Sequence, residues 1–105
     1  MTIHTLVFSF SDEMTEQDRE QCLTEMKSVM LDSGHARRFE HRPHLPIPPD
    51  RYAPVFVASA IAQVEFADLN AIAAAFALPE LEETIRRWQQ KYPYKVVWVN
   101  HDPVL

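Results

Sequence analysis

Ile-His-Thr-Leu-Val-Phe-Ser-Phe, at residues 3–10, is the stretch that decides the fold. Side chains alternate between the two faces of a β-strand, so the even-numbered residues, beginning with His4, share one face and the odd-numbered residues, beginning with Ile3, share the other. Both faces carry large apolar side chains that are poorly suited to water. The stretch therefore predicts a strand that is covered on both sides.

The next part of the chain predicts a helix, an edge strand and a stiff connection. Apolar residues recur at helical spacing over residues 15–31, with Thr15 as N-cap, and Gly34 is suited to end this helix. Residues 36–45 predict a second strand, placed at a sheet edge because it contains a proline, which has no N–H group to donate. Further prolines mark residues 46–53 as an extended connection.

The remaining sequence predicts a long strand, a helical region interrupted by proline, and a final strand. Residues 55–66 alternate in a way that is typical of a strand. Asp68 is suited to cap a helix, and we expect a break and restart at Pro79, because a helix rarely continues straight into a proline. A Val-rich last strand is predicted over residues 94–101.

The order β-α-β-β-α-β predicts a single α+β domain over residues 1–105 with the ferredoxin-like sandwich fold. In that fold two helices cover one face of a four-stranded antiparallel sheet, and the other face stays open. The odd-numbered apolar residues of three strands would then face water, and an apolar patch of that kind marks an interface. We therefore expect a homodimer whose sheets pack face to face. The residues expected at its interface are Ile3, Val7, Val55, Val57, Ile61, Val97 and Val99.

Composition narrows the class of protein further. Of 105 residues, 47% are hydrophobic and 24% are charged, which is ordinary for one soluble domain. The net charge of −5 and the lack of a basic cluster argue against a nucleic-acid partner. The single cysteine, Cys22, excludes an intrachain disulfide, and no basic leader or membrane segment is evident. We expect a cytoplasmic protein without a membrane partner.

Residues 3–18 also resemble a known family. The histidine-bearing first strand, followed by Asp-Glu-Met-Thr at residues 12–15 and a helix, is similar to the opening of the stress-responsive dimeric α/β-barrel domains. The helical region broken at Pro79 and the Val-rich last strand are similar in architecture. The resemblance implies that two protomers pair into a dimeric α/β barrel. It also implies a pocket in each protomer, between the sheet and the helices.

Members of this family include plant stress proteins without an agreed reaction and polyketide cyclases such as olivetolic acid cyclase. The cyclase uses a histidine in a His-Pro-x-His motif and a tyrosine about one turn before the proline. In this chain the corresponding stretch has Leu81 in place of the histidine and Ala75 in place of the tyrosine. Only His4, on the first strand, matches the pocket of the cyclase.

His4 is the candidate catalytic residue, because an imidazole in an apolar pocket can exchange a proton near neutral pH. The alternative is a core histidine whose ring is satisfied by a backbone carbonyl or a tyrosine hydroxyl. Alanines on the third strand and the following helix either pack closely or leave a cavity. The residues predicted to line a ligand pocket are Leu6, Phe8, Ala62, Val64, Phe76, Trp88, Trp98 and Asn100.

No metal or cofactor site is predicted. His41 and His44 are three residues apart, which places them on opposite faces of a strand, and no cysteine supports them as ligands. Two hypotheses for function follow. The first is a homodimer that binds a small apolar or aromatic molecule, or has a structural role. The alternative is a cofactor-independent cyclase, isomerase or lyase of an aromatic or polyketide-like substrate, with His4 as acid and base; a cofactor-free oxygenase is a third hypothesis.

Overall fold

The computed structural model describes residues 1–105 and has the β-α-β-β-α-β order that the sequence predicts. The strands are β1 (Thr2–Ser9), β2 (Ala36–Pro43), β3 (Ala60–Phe66) and β4 (Lys95–His101). They form one antiparallel sheet in the order β2-β3-β1-β4. The helices are α1 (Glu16–Asp32), α2 (Leu69–Phe76) and α3 (Pro79–Lys91), and a 3-10 helix spans Pro48–Tyr52. This is the ferredoxin-like sandwich, so the predicted fold class is confirmed.

Strand β1 lies inside the sheet, with β3 on one side and β4 on the other. Its residue Leu6 is opposite Ala62 on β3 and Trp98 on β4. From His4 onward, the even-numbered residues of β1 and β3 face the helices and are buried, whereas the odd-numbered Ile61 on β3 is exposed. The two faces of the sheet therefore differ as the alternation of side chains predicts.

Helix α1 begins at a capping box. The backbone N–H of Asp18 donates to Thr15 Oγ1 at 3.0 Å, and the backbone N–H of Thr15 donates to Asp18 Oδ2 at 3.2 Å. Gly34, directly after the C-cap, has a φ of +79°, a conformation that glycine adopts without strain. At the other helical region, α2 ends at Phe76 and α3 restarts at Pro79, as predicted.

Replacing Thr15 by Ala will lower the free energy of unfolding by about 1 kcal/mol, because the N-terminal N–H groups of α1 lose their side-chain acceptor. Thr15→Ser keeps a hydroxyl at the cap and serves as the control, with stability within a few tenths of a kcal/mol of the parent. Urea denaturation followed by circular dichroism measures both. Equal stability of the Ala and Ser variants would show that the cap contributes nothing.

The prediction for the start of β3 was wrong for residues 55–59, because β3 begins at Ala60. Its two neighbours end at or just after this point: Pro43, the last residue of β2, and Phe8 of β1 are both opposite Ala60, and β1 ends one residue later, at Ser9. A strand needs hydrogen-bond partners, so the chain leaves the sheet once the backbone N–H of Ser59 has donated to Phe8 O.

This correction changes the predicted interface. Val55 is 84% exposed on the connection before β3, and Val57 also lies outside the sheet. The other apolar residues predicted for the interface are on the outer face of the sheet, opposite to the core: Ile3, Val7, Ile61, Val97 and Val99. Three of them, Ile61, Val97 and Val99, are exposed large hydrophobics. None of the helices has the length and apolarity needed to cross a membrane.

Candidate ligand pocket at the edge of the sheet

A cavity of about 330 Å³ lies between the edge strand β4 and helix α2. The inner face of β4 is only partly covered at this point, because Trp98 is 60% exposed, although its neighbour Leu6 on β1 is buried in the core. The residues that line the cavity are His4, Leu69, Ile72, Ala73, Phe76, Trp98 and Asn100.

Helix α2 supplies the apolar wall. Its lining residues Leu69, Ile72, Ala73 and Phe76 have the spacing of one helical stripe, i, i+3, i+4 and i+7. The helix is fixed at its start by Asp68, whose Oδ1 accepts a hydrogen bond from the backbone N–H of Ala71 at 2.9 Å. The stripe thus faces β4 across the cavity.

His4 lies at the inner end of the cavity, with only 2% of its surface exposed. Its ring is surrounded by aromatic side chains, with centroid distances of 5.0 Å to Phe76, 6.0 Å to Trp98 and 6.5 Å to Phe66. The register of β1 and β4 places His4 opposite Asn100, and His4 Nδ1 is 2.6 Å from Asn100 Oδ1. The other ring nitrogen, Nε2, is buried and has no hydrogen-bond partner.

This arrangement sets the protonation of the ring. A carbonyl oxygen can only accept, so Nδ1 donates to Asn100 and carries the proton, which leaves the lone pair of Nε2 free in the neutral ring. Burial lowers the pKa of His4 below its ordinary value of 6.5, and the hydrogen bond to Asn100 acts in the opposite direction. His4 is therefore neutral at pH 7 and presents an acceptor.

The lowered pKa of His4 predicts a pH dependence of stability. Below pH 6.5 this histidine is protonated in the unfolded chain before it is protonated in the folded protein, so the free energy of unfolding falls as the pH decreases from 7 to 5. The slope from this one group is at most about 1.4 kcal/mol per pH unit. Urea denaturation at several pH values will show a shallower slope for His4→Phe. The same slope in both proteins would contradict the buried neutral state.

The cavity brings together four of the residues that the sequence predicts for the site: His4, Phe76, Trp98 and Asn100. Other predicted residues lie in the closed core instead: Leu6, Phe8, Ala62 and Val64. Trp88 packs against α1, where its Nε1 donates to Glu25. Sequence reasoning missed Leu69, Ile72 and Ala73, which the helical stripe that ends at Phe76 could have indicated.

The structure bears on two alternatives left open by the sequence. Ala62 on β3 and Ala75 on α2 have no exposed surface and pack closely, whereas Ala73 on α2 lines the cavity. The ring of His4 is bonded neither to a backbone carbonyl nor to a tyrosine, but to the side chain of Asn100. The cavity therefore comes from the uncovered edge of the sheet and not from small residues in the core.

A second cleft, of about 820 Å³, lies between α1 and the connection from β2 to β3. His41 and His44 both line it, contrary to the opposite faces that their spacing predicts, because β2 ends at Pro43, before His44. Each is next to a carboxylate: His41 Nδ1 is 3.8 Å from Glu20 Oε2, and His44 Nε2 is 2.8 Å from Asp50 Oδ2. The bond from His44 is the main cause that lowers the pKa of Asp50. Because Asp50 Oδ2 also accepts from the backbone N–H of Ile47, these groups hold the connection in place.

Cys22 is buried in the core, and burial raises the pKa of its thiol to about 12. Only the thiolate reacts with iodoacetamide, so at pH 8 the folded protein will be alkylated about 1,000-fold more slowly than the urea-unfolded chain, a factor that follows from a difference of about three pKa units. Mass spectrometry over time measures both rates. Alkylation of the folded protein at the rate of the unfolded chain would contradict the buried thiol.

Solved structures share this fold along the whole chain. A protein from Arabidopsis thaliana matches with a TM-score of 0.80 and 17% sequence identity, covering 100% of this chain and 97% of that chain. A dabb family protein with a ferredoxin-like fold from Mesorhizobium loti matches with a TM-score of 0.71 and 20% identity, covering 99% and 97%. At these identities the likeness establishes the fold and not the function. No protein-family model matches the sequence, and no curated protein sequence matches it.

Enzymes and dimers occur among the similar structures. A hydroxynitrile lyase from Passiflora edulis matches with a TM-score of 0.73 and 12% identity, covering 95% of this chain and 91% of that chain. Two ferredoxin-like proteins described as dimeric match as well. The one from Bacteroides fragilis has a TM-score of 0.66 at 12% identity and covers 97% and 95%; the one from Thermobifida fusca has 0.72 at 13% and covers 97% and 90%.

Proposed function

We propose that this chain is a homodimeric protein that binds a small apolar or aromatic molecule in the pocket between β4 and α2. One observation carries the proposal: His4 lines the apolar pocket, and its Nε2 is a buried acceptor without a partner. An unsatisfied buried polar atom costs about 1–3 kcal/mol, and a bound molecule that donates to it removes this cost. The volume of about 330 Å³ is in the range of small-molecule sites.

Self-association is the second part of the proposal. The outer face of the sheet exposes Ile61, Val97 and Val99, which a second copy would cover. Proteins of the same fold are described as dimeric, which supports this arrangement. A two-fold axis would place the same apolar surface of each protomer against the other. The two pockets would lie on the far sides of the paired sheets, because His4 points away from the outer face.

Binding of naphthalene, a neutral aromatic probe, tests the pocket. Ala73 lines the cavity and Ala77 does not, although both are exposed on the same helical region. Titration followed by amide NMR shifts around the cavity will show saturable binding. Ala73→Trp fills the cavity and will weaken binding at least tenfold, whereas Ala77→Trp will leave it unchanged. The absence of saturable binding, or the same affinity in both variants, would overturn the proposal.

The alternative is a cofactor-independent cyclase, isomerase or lyase in which His4 acts as acid and base. It is favoured by the free lone pair of Nε2 and by Asn100, which orients the ring through Nδ1. It is also favoured by the fold shared with a hydroxynitrile lyase. In that reaction a base takes the hydroxyl proton, the carbon–carbon bond to the nitrile breaks, and the cyanide that leaves is protonated.

Mandelonitrile tests this alternative, since its cleavage releases benzaldehyde, which is followed by absorbance. If His4 is the base, the wild-type protein will accelerate the cleavage and His4→Gln will lower the rate at least 100-fold, in keeping with the contribution of a positioned base. If the protein does not accelerate the cleavage above its rate in buffer, this lyase reaction is excluded. If His4→Gln accelerates the cleavage as much as the wild-type protein does, His4 takes no part in the chemistry.

A further inference from the structure

Charge is missing from the lining of the pocket. Five of its seven residues are hydrophobic, and the two polar residues are His4 and Asn100. No Lys or Arg is present to pair with an anion, and burial keeps His4 neutral. Moving a carboxylate from water into such a site is unfavourable, because nothing replaces its hydration. The pocket is therefore suited to uncharged molecules.

The hydrogen-bonding group at the inner end has a fixed direction. His4 Nδ1 donates to Asn100, so Nε2 can only accept as long as the ring is neutral. A ketone, an ether or a carboxylate would set its own lone pair against that of Nε2. A hydroxyl group would instead donate to Nε2 and satisfy the buried nitrogen.

Asn100 supplies a second, complementary contact. Its Oδ1 accepts from His4, whereas its amide N–H groups make no hydrogen bond within the chain. These N–H groups can donate to a carbonyl oxygen of a ligand at the outer part of the cavity. One residue thus fixes the tautomer of His4 and offers the opposite hydrogen-bonding group to the same ligand.

From these contacts we infer that the pocket selects neutral molecules that present a hydroxyl group to His4 Nε2, namely phenols and enols, over their ethers and over carboxylates. The inference rests on the proposed ligand pocket and adds its selectivity. A carbonyl group near the hydroxyl, as in an enol of a dicarbonyl compound, would also engage Asn100. His4 and Asn100 then act as specificity-determining residues, and the aromatic rings around His4 supply the apolar contact.

Three probes of one shape test the inference: 1-naphthol, which donates, 1-methoxynaphthalene, which cannot donate, and 1-naphthoate, which is an anion at pH 7. Calorimetry and NMR titration will show 1-naphthol binding about tenfold more tightly than the ether, in keeping with one net hydrogen bond of about 1.4 kcal/mol. The carboxylate will bind most weakly. His4→Phe places an apolar ring at this position and removes the acceptor, so the affinity for 1-naphthol will fall to the affinity for the ether.

The outcomes separate the two proposals. If all three probes bind alike and Ala73→Trp blocks them, the pocket stands and the selectivity is overturned; the tightest binding by 1-naphthoate also overturns it. If none of the probes binds, both proposals fail. Should His4→Phe not fold, the wild-type protein still gives the answer through the ¹⁵N resonance of His4 Nε2. A change in that resonance with 1-naphthol and not with the ether supports the inference, and equal changes contradict it.

Discussion

Val97→Asp will convert the proposed dimer into a monomer. Val97 is 57% exposed in the isolated chain and lies on the outer face of β4, opposite Val7 of β1. In a face-to-face dimer the two-fold symmetry buries a new carboxylate from each protomer among valines and isoleucines. Taking these charges out of water costs several kcal/mol, so we expect the dissociation constant to rise at least about 1,000-fold.

Val55→Asp is the matched control for this experiment. Val55 is 84% exposed, and sequence reasoning places it in the interface, whereas the structure places it on the connection before β3. Sedimentation velocity at micromolar concentration will show a dimer for the parent and for Val55→Asp, and a monomer for Val97→Asp. A dimer that survives Val97→Asp contradicts the outer face as the interface. Loss of the dimer in Val55→Asp alone would assign the interface to the connection instead.

Phe8→Ala will lower the free energy of unfolding by about 3–5 kcal/mol, as is found for phenylalanines deleted from closed cores. Phe8 has no exposed surface, and its ring stacks on Phe10 with centroids 5.2 Å apart. The residue opposite on β3 is Ala60, whose small side chain cannot fill the vacated space. Because whole domains are stable by about 5–15 kcal/mol, a loss of this size is a large part of the total.

Phe56→Ala is the control, since Phe56 is 46% exposed and lies outside the sheet. We expect its effect on stability to be within about 1 kcal/mol of zero. Thermal and urea denaturation measure both variants. Similar losses from Phe8→Ala and Phe56→Ala would mean that the connection before β3 belongs to the core. A small loss from Phe8→Ala would contradict the closed packing around β1.

The features that could be predicted from sequence are those that each segment determines by itself. In β1 the alternation of side chains assigns His4 and Phe8 to the inner face, because the period of a strand is fixed at two residues. The N-cap of α1 at Thr15 and the end of this helix before Gly34 follow from cap residues with local hydrogen bonds and a local backbone conformation. Pro79 likewise starts α3, because its fixed φ angle suits the first position of a helix and no N–H group is needed there.

The start of β3 could not be predicted in this way. Residues 55–59 have the alternation of a strand, but strand formation needs partners: β2 ends opposite Ala60, and β1 ends at Ser9, one residue after the Phe8–Ala60 pair. Where those two strands end depends on their lengths and register in the sheet. The apolar residues Val55 and Phe56 are therefore exposed, in spite of their pattern.

The pocket was predicted in part for a related reason. The alternation of side chains places His4, Trp98 and Asn100 on the inner face of neighbouring strands, and the structure brings them together. The alternation of side chains cannot indicate that the inner face of β4 is left exposed at Trp98, whereas the inner face of β1 is closed at Phe8. Nor can the apolar stripe of α3 indicate that Trp88 packs against α1 and donates to Glu25.

The protonation of His4 is the most direct test of the pocket. Long-range ¹H–¹⁵N correlation spectra of the imidazole distinguish the two neutral tautomers from the imidazolium. At pH 7 we predict a proton on Nδ1, none on Nε2, and a shift of the Nε2 resonance when 1-naphthol is added. A proton on Nε2 at pH 7, in either the other tautomer or the imidazolium, would contradict the acceptor that the proposed ligand requires.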